Sequence, residues 1–151
     1  MHTETEVTIV RADEAEVLNV LGTQLRLVCP AEKTKQAWSL MEAVLPKYSG
    51  PPPHFHPWDE AYYIVKGNVR FSLNGNELFA GPGDFVLAPG GTVHGFEGIS
   101  EEDARMLIFD APAHSAAFFR EIDQQVRQIP DDLAKMPAIG ARHNLQFVMP
   151  E

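Results

Sequence analysis

The sequence predicts an all-β chain with a short helical appendage near its C-terminal end. Three observations carry this. Over about 20–111, short apolar or alternating runs rich in Val, Ile, Phe, Tyr and Leu are separated by Gly, Pro and Asn. One of those runs ends on Asn74-Gly75, a strong hairpin signal. After Pro112 the apolar spacing changes from every second residue to every third or fourth.

Val69, Phe71 and Leu73 alternate with Asn68, Arg70, Ser72 and Asn74, which places three apolar side chains on one face of a strand. Asn74-Gly75 tolerates the positive φ angles of a two-residue turn, so Asn76–Ala80 should return alongside. Lys66-Gly67-Asn68 reads as the preceding turn. Gly81-Pro82-Gly83-Asp84 and Pro89-Gly90-Gly91 bracket a strand at Phe85–Ala88. The middle of the chain therefore reads as one hairpin after another.

Phe118, Phe119, Ile122 and Val126 then mark one face of an amphipathic helix. Pro130-Asp131-Asp132 suits the first turn of a second, short helix through Met136, with Pro137 as its stop. The expected organisation is one domain over 1–151, a barrel at about 20–111 and helices at about 114–136.

A chain of 151 residues can bury an apolar core without staples. Twelve basic against 21 acidic side chains give a net charge of −9, which repels phosphate backbones and anionic lipid. Nucleic acid and membrane are thus poor partners, and a small molecule is the better expectation. Cys29 is the single cysteine, so an intramolecular disulfide is impossible. With no signal-peptide pattern at the N-terminus and no run of about 18 apolar residues, a cytoplasmic setting is expected.

The stretch that carries chemistry is His54-Phe55-His56-Pro57-Trp58-Asp59-Glu60. Residues two apart on an extended segment point the same way, so His54 and His56 address one centre. Glu60, Tyr62 and Ile64 share a face of the next strand, and a turn at Pro57-Trp58 could swing the carboxylate back to the imidazoles. His94, after the Pro89-Gly90-Gly91 turn, could supply a fourth ligand from a neighbouring strand. Three nitrogens and one oxygen suit one divalent ion of Fe, Mn, Co, Ni, Cu or Zn, with one or two positions left open.

The neighbours divide by the same parity. Asp59 points away from Glu60 and reads as a solvated charge. Tyr62 is the best candidate for substrate contact, followed by Trp58 and Phe55, although aromatic residues in strands mostly build core. Glu101-Glu102-Asp103 reads as an exposed loop, and His2, His114 and His143 lack ligand company.

His54-x-His56-x3-Glu60-x6-Gly67 resembles the first motif of the cupin family, and Gly83-x5-Pro89-x-Gly91-x2-His94 resembles the second. Two positions depart from it. The family places five residues between its opening Gly and the first His, whereas Gly50 leaves three, and its closing Asn is Gly98 here. Ser49-Gly50-Pro51-Pro52-Pro53 and Phe118-Phe119-Arg120-Glu121 extend the likeness to small quercetin 2,3-dioxygenase-like cupins.

This resemblance implies a double-sheet jelly-roll barrel, a central metal on His54, His56, Glu60 and His94, and often a homodimer. The run Val7-Thr8-Ile9-Val10 could cover an open sheet edge across such a dimer. The activity it implies is that of a metal-dependent oxidoreductase, a quercetinase-like dioxygenase in which Glu60 both ligates the metal and accepts the substrate hydroxyl's proton. A shared fold does not settle the chemistry. The alternatives are a non-catalytic cupin that binds or senses a small molecule, and a metal-assisted isomerase or hydrolase.

Overall fold

A computed structural model describes residues 7–148. The strands are β1 (Glu16–Val20), β2 (Thr23–Cys29), β3 (Ser39–Leu45), β4 (His54–Phe55), β5 (Asp59–Lys66), β6 (Val69–Leu73), β7 (Asn76–Ala80), β8 (Phe85–Ala88), β9 (His94–Gly98), β10 (Ala104–Ala111) and β11 (Gln146–Phe147). Helices α1 (Ser115–Gln125) and α2 (Met136–Arg142) lie between β10 and β11. Six strands form one sheet in the order β1-β2-β3-β10-β5-β8, and five form another in the order β11-β4-β9-β6-β7. Every ladder between named strands is antiparallel.

The period-two pattern decides what lies between the sheets. Leu25, Leu27, Met41, Ala43, Leu45, Ile64, Met106 and Ile108 of the first sheet join Val69, Phe71 and Phe96 of the second in one buried cluster. The alternate residues Tyr63, Val65, Phe85, Leu87 and Phe109 remain exposed on the outside of the six-stranded sheet. The architecture is the expected jelly roll with C-terminal helices.

The hairpin at Asn74-Gly75 is present, with φ of 50° and 82° and Leu73 paired to Asn76. The expectation of successive hairpins is otherwise overturned. β5 belongs to the six-stranded sheet and β6 to the five-stranded one, so Lys66-Gly67-Asn68 carries the chain across the barrel. The chain crosses again between β7 and β8, β8 and β9, and β9 and β10. A Gly-containing turn marks where the chain reverses and leaves open which sheet receives it.

The ends of the barrel also differ from the expected bounds. The first strand begins at Glu16, and the two-residue β4 and β11 pair with each other. Residues 7–10 form no strand, and Val7 and Ile9 are exposed, so this run covers no edge of its own sheet. Phe118, Ile122 and Val126 are buried as the helical spacing requires, with Phe119 partly buried against the core. Asp123 on α1 accepts the Asn19 N–H of β1 at 2.9 Å.

Pro137 starts a helix instead of stopping one. Asp131–Lys135 is a single 3-10 stretch, and α2 continues from Met136 to Arg142. The reason is positional: Pro lacks the N–H that the first helical turn leaves unpaired anyway.

The segment between β3 and β4 positions the candidate site by running along β9. Tyr48 N–H donates to Gly98 O at 2.8 Å, and Gly98 N–H donates to Ser49 O at 3.0 Å. This close approach leaves no room for a side chain at Gly98, where the family motif has Asn, or at Gly50. A Cβ at Gly98 would lie 2.9 Å from Leu45 O, and one at Gly50 would lie 1.8 Å from Phe96 O. Gly50→Ala should therefore cost at least ~2 kcal/mol of unfolding free energy. Gly75→Ala, which meets nothing within 4 Å, should cost only the ~1–2 kcal/mol of its left-handed backbone. Urea denaturation of the two variants compares them, and equal costs would mean that the 46–53 segment can lift off β9.

Candidate metal centre

Two short strands of the five-stranded sheet bring the imidazoles together. His54 on β4 lies opposite His94 on β9 in the ladder, and His56 follows two residues later. Glu60 reaches them from β5 in the other sheet, where it pairs with Ala88 on one side and Asp110 on the other. Parity holds along β5: Glu60, Tyr62 and Ile64 are buried, while Asp59, Tyr63 and Val65 are exposed. All three imidazoles and the carboxylate are at most 5% exposed.

The histidine donor atoms lie within 4.8 Å of one another. Each ring is oriented through its other nitrogen. His54 Nδ1 faces Pro52 O at 2.9 Å, His56 Nδ1 faces Trp58 O at 3.0 Å, and His94 Nδ1 faces Thr92 O at 2.8 Å. A carbonyl oxygen accepts only, so each Nδ1 carries the proton and each Nε2 presents its lone pair.

Those lone pairs meet a carboxylate. His56 Nε2 is 3.3 Å from Glu60 Oε1, and His94 Nε2 is 3.3 Å from Glu60 Oε2. Both nitrogens are buried and neither has a hydrogen-bond partner. Acceptors that face acceptors in a buried site repel unless a proton or a cation sits between them. Three imidazole nitrogens and one carboxylate are a donor set that fits a divalent first-row metal.

The electrostatics follow from burial and charge. Burial, then the positive charge of His94, lowers the His54 pKa to about 4 and keeps that ring neutral at ordinary pH. Burial pulls His94 down too, but the Glu60 carboxylate overrides it and the net shift is upward. Burial alone would raise Glu60, yet His56 and His94 hold its carboxyl well below the usual range. Protons therefore compete with a cation for the same nitrogens.

The three candidate substrate contacts are placed differently. Tyr62, 1% exposed, donates its hydroxyl to Glu60 Oε2. Burial and then the Glu60 charge push its phenol well above the ordinary value, so it stays a donor. Trp58, 2% exposed, lies flat on the His56 ring with centroids 4.0 Å apart and planes at 4°. It buttresses a ring of the site from within the core. Phe55 sits between the two histidines in sequence and is half-buried, with its residue paired to Gln146 on β11.

Asp59 is on the outside as expected, and it also accepts the Gly90 N–H at 2.8 Å, which ties the turn before His94 to the start of β5. His114 is exposed and edge-on to Trp58, and His143 pairs with Glu121 at 2.8 Å. His2 lies outside the described residues.

Two buried residues escaped the sequence reading. Ser115, at the start of α1, donates its hydroxyl to Glu60 Oε1 at 3.0 Å and accepts the Trp58 indole N–H at 2.9 Å. Asp110 accepts the Ser115 N–H at 2.9 Å and the Ser39 hydroxyl. Burial raises the Asp110 pKa against these bonds. Asp110 carried a readable signal as the one acid in the inward row Ala104, Met106, Ile108, Asp110. A serine at the head of an amphipathic helix carried none.

Purified without chelators, the protein should hold close to one divalent ion per chain by elemental analysis, and a His54→Ala, His94→Ala double variant should hold none. Metal added at a hundredfold excess over Kd should stabilise the parent by about 2.7 kcal/mol and the variant not at all. Uptake should weaken as pH falls, because protons then occupy the nitrogens that the metal needs.

Comparison with known proteins agrees with this geometry. The family model described as "Cupin domain" matches residues 40–110. Polyketide synthase CurC of Streptomyces cyaneus is 25% identical over 87 residues, 57% of this chain and 56% of the relative. Quercetin 2,3-dioxygenase of Bacillus subtilis is 27% identical over 103 residues, 67% of this chain and 30% of the relative. The chain thus spans about half and less than a third of these two relatives. Among solved structures, an RmlC-like cupin from Shewanella frigidimarina superposes with a TM-score of 0.63 at 14% identity, over 74% of this chain and 96% of that one. With both motifs in place and two antiparallel sheets around them, residues 40–110 are a cupin domain.

Proposed function

We propose that this cupin is a metal-dependent oxidoreductase, a quercetinase-like dioxygenase that acts on a small enolisable or phenolic molecule. One observation carries the reading: two oriented imidazole nitrogens, with a third histidine donor within 4.8 Å of them, face a single buried carboxylate whose two oxygens each accept a hydroxyl. A redox-capable divalent ion held by His54, His56, Glu60 and His94 would supply Lewis acidity and access to dioxygen.

The division of labour among the side chains follows from their protonation. Tyr62 keeps its proton and so cannot serve as the base. Asp110 already accepts from Ser39 and from the Ser115 N–H. With the imidazole nitrogens committed to a metal, Glu60 is the group left to take a proton from a substrate hydroxyl, once that hydroxyl replaces Tyr62 at Oε2. Phe147, whose ring is 5.9 Å from His54, lines an apolar cleft of about 400 Å³ with Pro52, Met136 and Pro137. That size and lining suit an aromatic molecule.

The curated relatives favour the same class of substrate. Quercetin carries an enolic hydroxyl beside a carbonyl, and polyketides carry enolisable carbonyls. They also supply a second reading of the reaction, in which Glu60 moves a proton on an enolisable carbonyl compound without dioxygen, as the polyketide relative suggests.

Oxygen uptake with flavonols and other enolisable compounds, measured on iron-, manganese-, cobalt-, nickel- and copper-loaded protein, separates the two. Uptake with product formation is expected, and turnover that persists without oxygen would give the second reading. Glu60→Gln should retain part of the metal and lose at least about a hundredfold in turnover. Full activity in that variant removes Glu60 from proton transfer.

A further inference from the structure

We propose that Ser115 is a positioning residue for Glu60, so that the head of α1 sets how well the site holds its metal; this rests on the metal-binding reading above. Ser115 is 1% exposed, and its three polar connections leave its hydroxyl one direction. The Trp58 indole N–H donates to Ser115 Oγ at 2.9 Å, which occupies the acceptor side. The hydroxyl proton is then directed at Glu60 Oε1, 3.0 Å away. The Ser115 N–H is fixed by Asp110 Oδ2 at 2.9 Å, and Asp110 is itself held by the Ser39 hydroxyl of β3.

Glu60 has three rotatable side-chain bonds, and its carboxylate is preset as a ligand only while it stays turned toward His56 and His94. Tyr62 holds Oε2 and Ser115 holds Oε1, one hydroxyl for each oxygen. Tyr62 lies on the same strand two residues away, so it follows Glu60 wherever β5 goes. Ser115 arrives from α1, and it ties the carboxylate to a second element through Trp58, whose ring also lies on His56. Loss of Ser115 frees one oxygen and leaves rotation about the Tyr62 contact. Partners that orient a ligand in this way typically change metal affinity by about 10- to 100-fold.

The test titrates cobalt(II) into the full chain against a chelating indicator, with the visible cobalt band as a second readout. Ser115→Ala should raise the cobalt dissociation constant about 10- to 100-fold and alter the band. The same change made on Glu60→Ala should do nothing further, because its effect passes through Glu60. Trp58→Phe keeps an aromatic ring beside His56 and removes the N–H together with part of the ring's bulk. It should weaken cobalt in the same direction by less, and it decides the matter if Ser115→Ala does not fold. A purely structural serine would lower the melting temperature of the metal-free protein and leave the dissociation constant unchanged. That result, or equal losses with and without Glu60, overturns the proposal while the metal-binding reading stands. A parent chain that takes up no cobalt overturns both.

Discussion

The structure depends on one electrostatic constraint: two imidazole lone pairs and a carboxylate face one another at 3.3 Å inside the barrel, away from water. Nothing in the local fold relieves this, because every Nδ1–H is already committed to a backbone carbonyl. The relief comes from a positive charge between the groups, supplied by a proton or by a metal. The short strands β4 and β9 therefore serve mainly to aim rings. They contribute one paired register position to each other, yet that position is the one that sets His54 against His94.

The barrel accommodates this by drawing the ligands from both sheets. Two imidazoles come from the five-stranded sheet, the third from the turn that leaves β4, and the carboxylate from the six-stranded sheet, so the site lies where the two sheets face each other. The crossing at Gly67 belongs to the same design. If β5 and β6 formed a hairpin, Glu60 would share a sheet with His54 and His94, and its carboxylate would approach them edge-on instead of from the facing wall.

The clustering of the candidate ligands was legible because their spacing is itself geometry. His54, His56 and Glu60 obey the two-residue period of extended chain, and that period survives in the structure. The apolar alternation on β6 and the Asn74-Gly75 turn were legible for the same reason. The sheet to which each strand belongs was not, since it is decided by long-range pairing that turn residues do not encode. Pro137 was misread because one residue type both begins and ends helices. The place of Trp58 stayed open in the sequence because an aromatic side chain beside a candidate ligand suits a pocket lining and a ring stack equally well; in the structure it is buried and stacks on His56 at 4.0 Å.

What lies around the ligands comes from a different part of the chain. The family match over 40–110 contains all four candidate ligands as well as Trp58, Tyr62 and Asp110, whereas Ser115 and Phe147 lie beyond it. Ser115 reaches Glu60 from α1, and Phe147 reaches His54 from β11, a strand that exists only because the chain returns to β4 after α2. The shared barrel thus supplies all four candidate ligands, and the C-terminal segment adds a hydroxyl on the carboxylate and a ring beside His54. A cupin with the same four ligands and another C-terminal segment would keep the centre and change its surroundings. On this division, the residues after 110 are where the surroundings of the centre depart from what the shared barrel supplies.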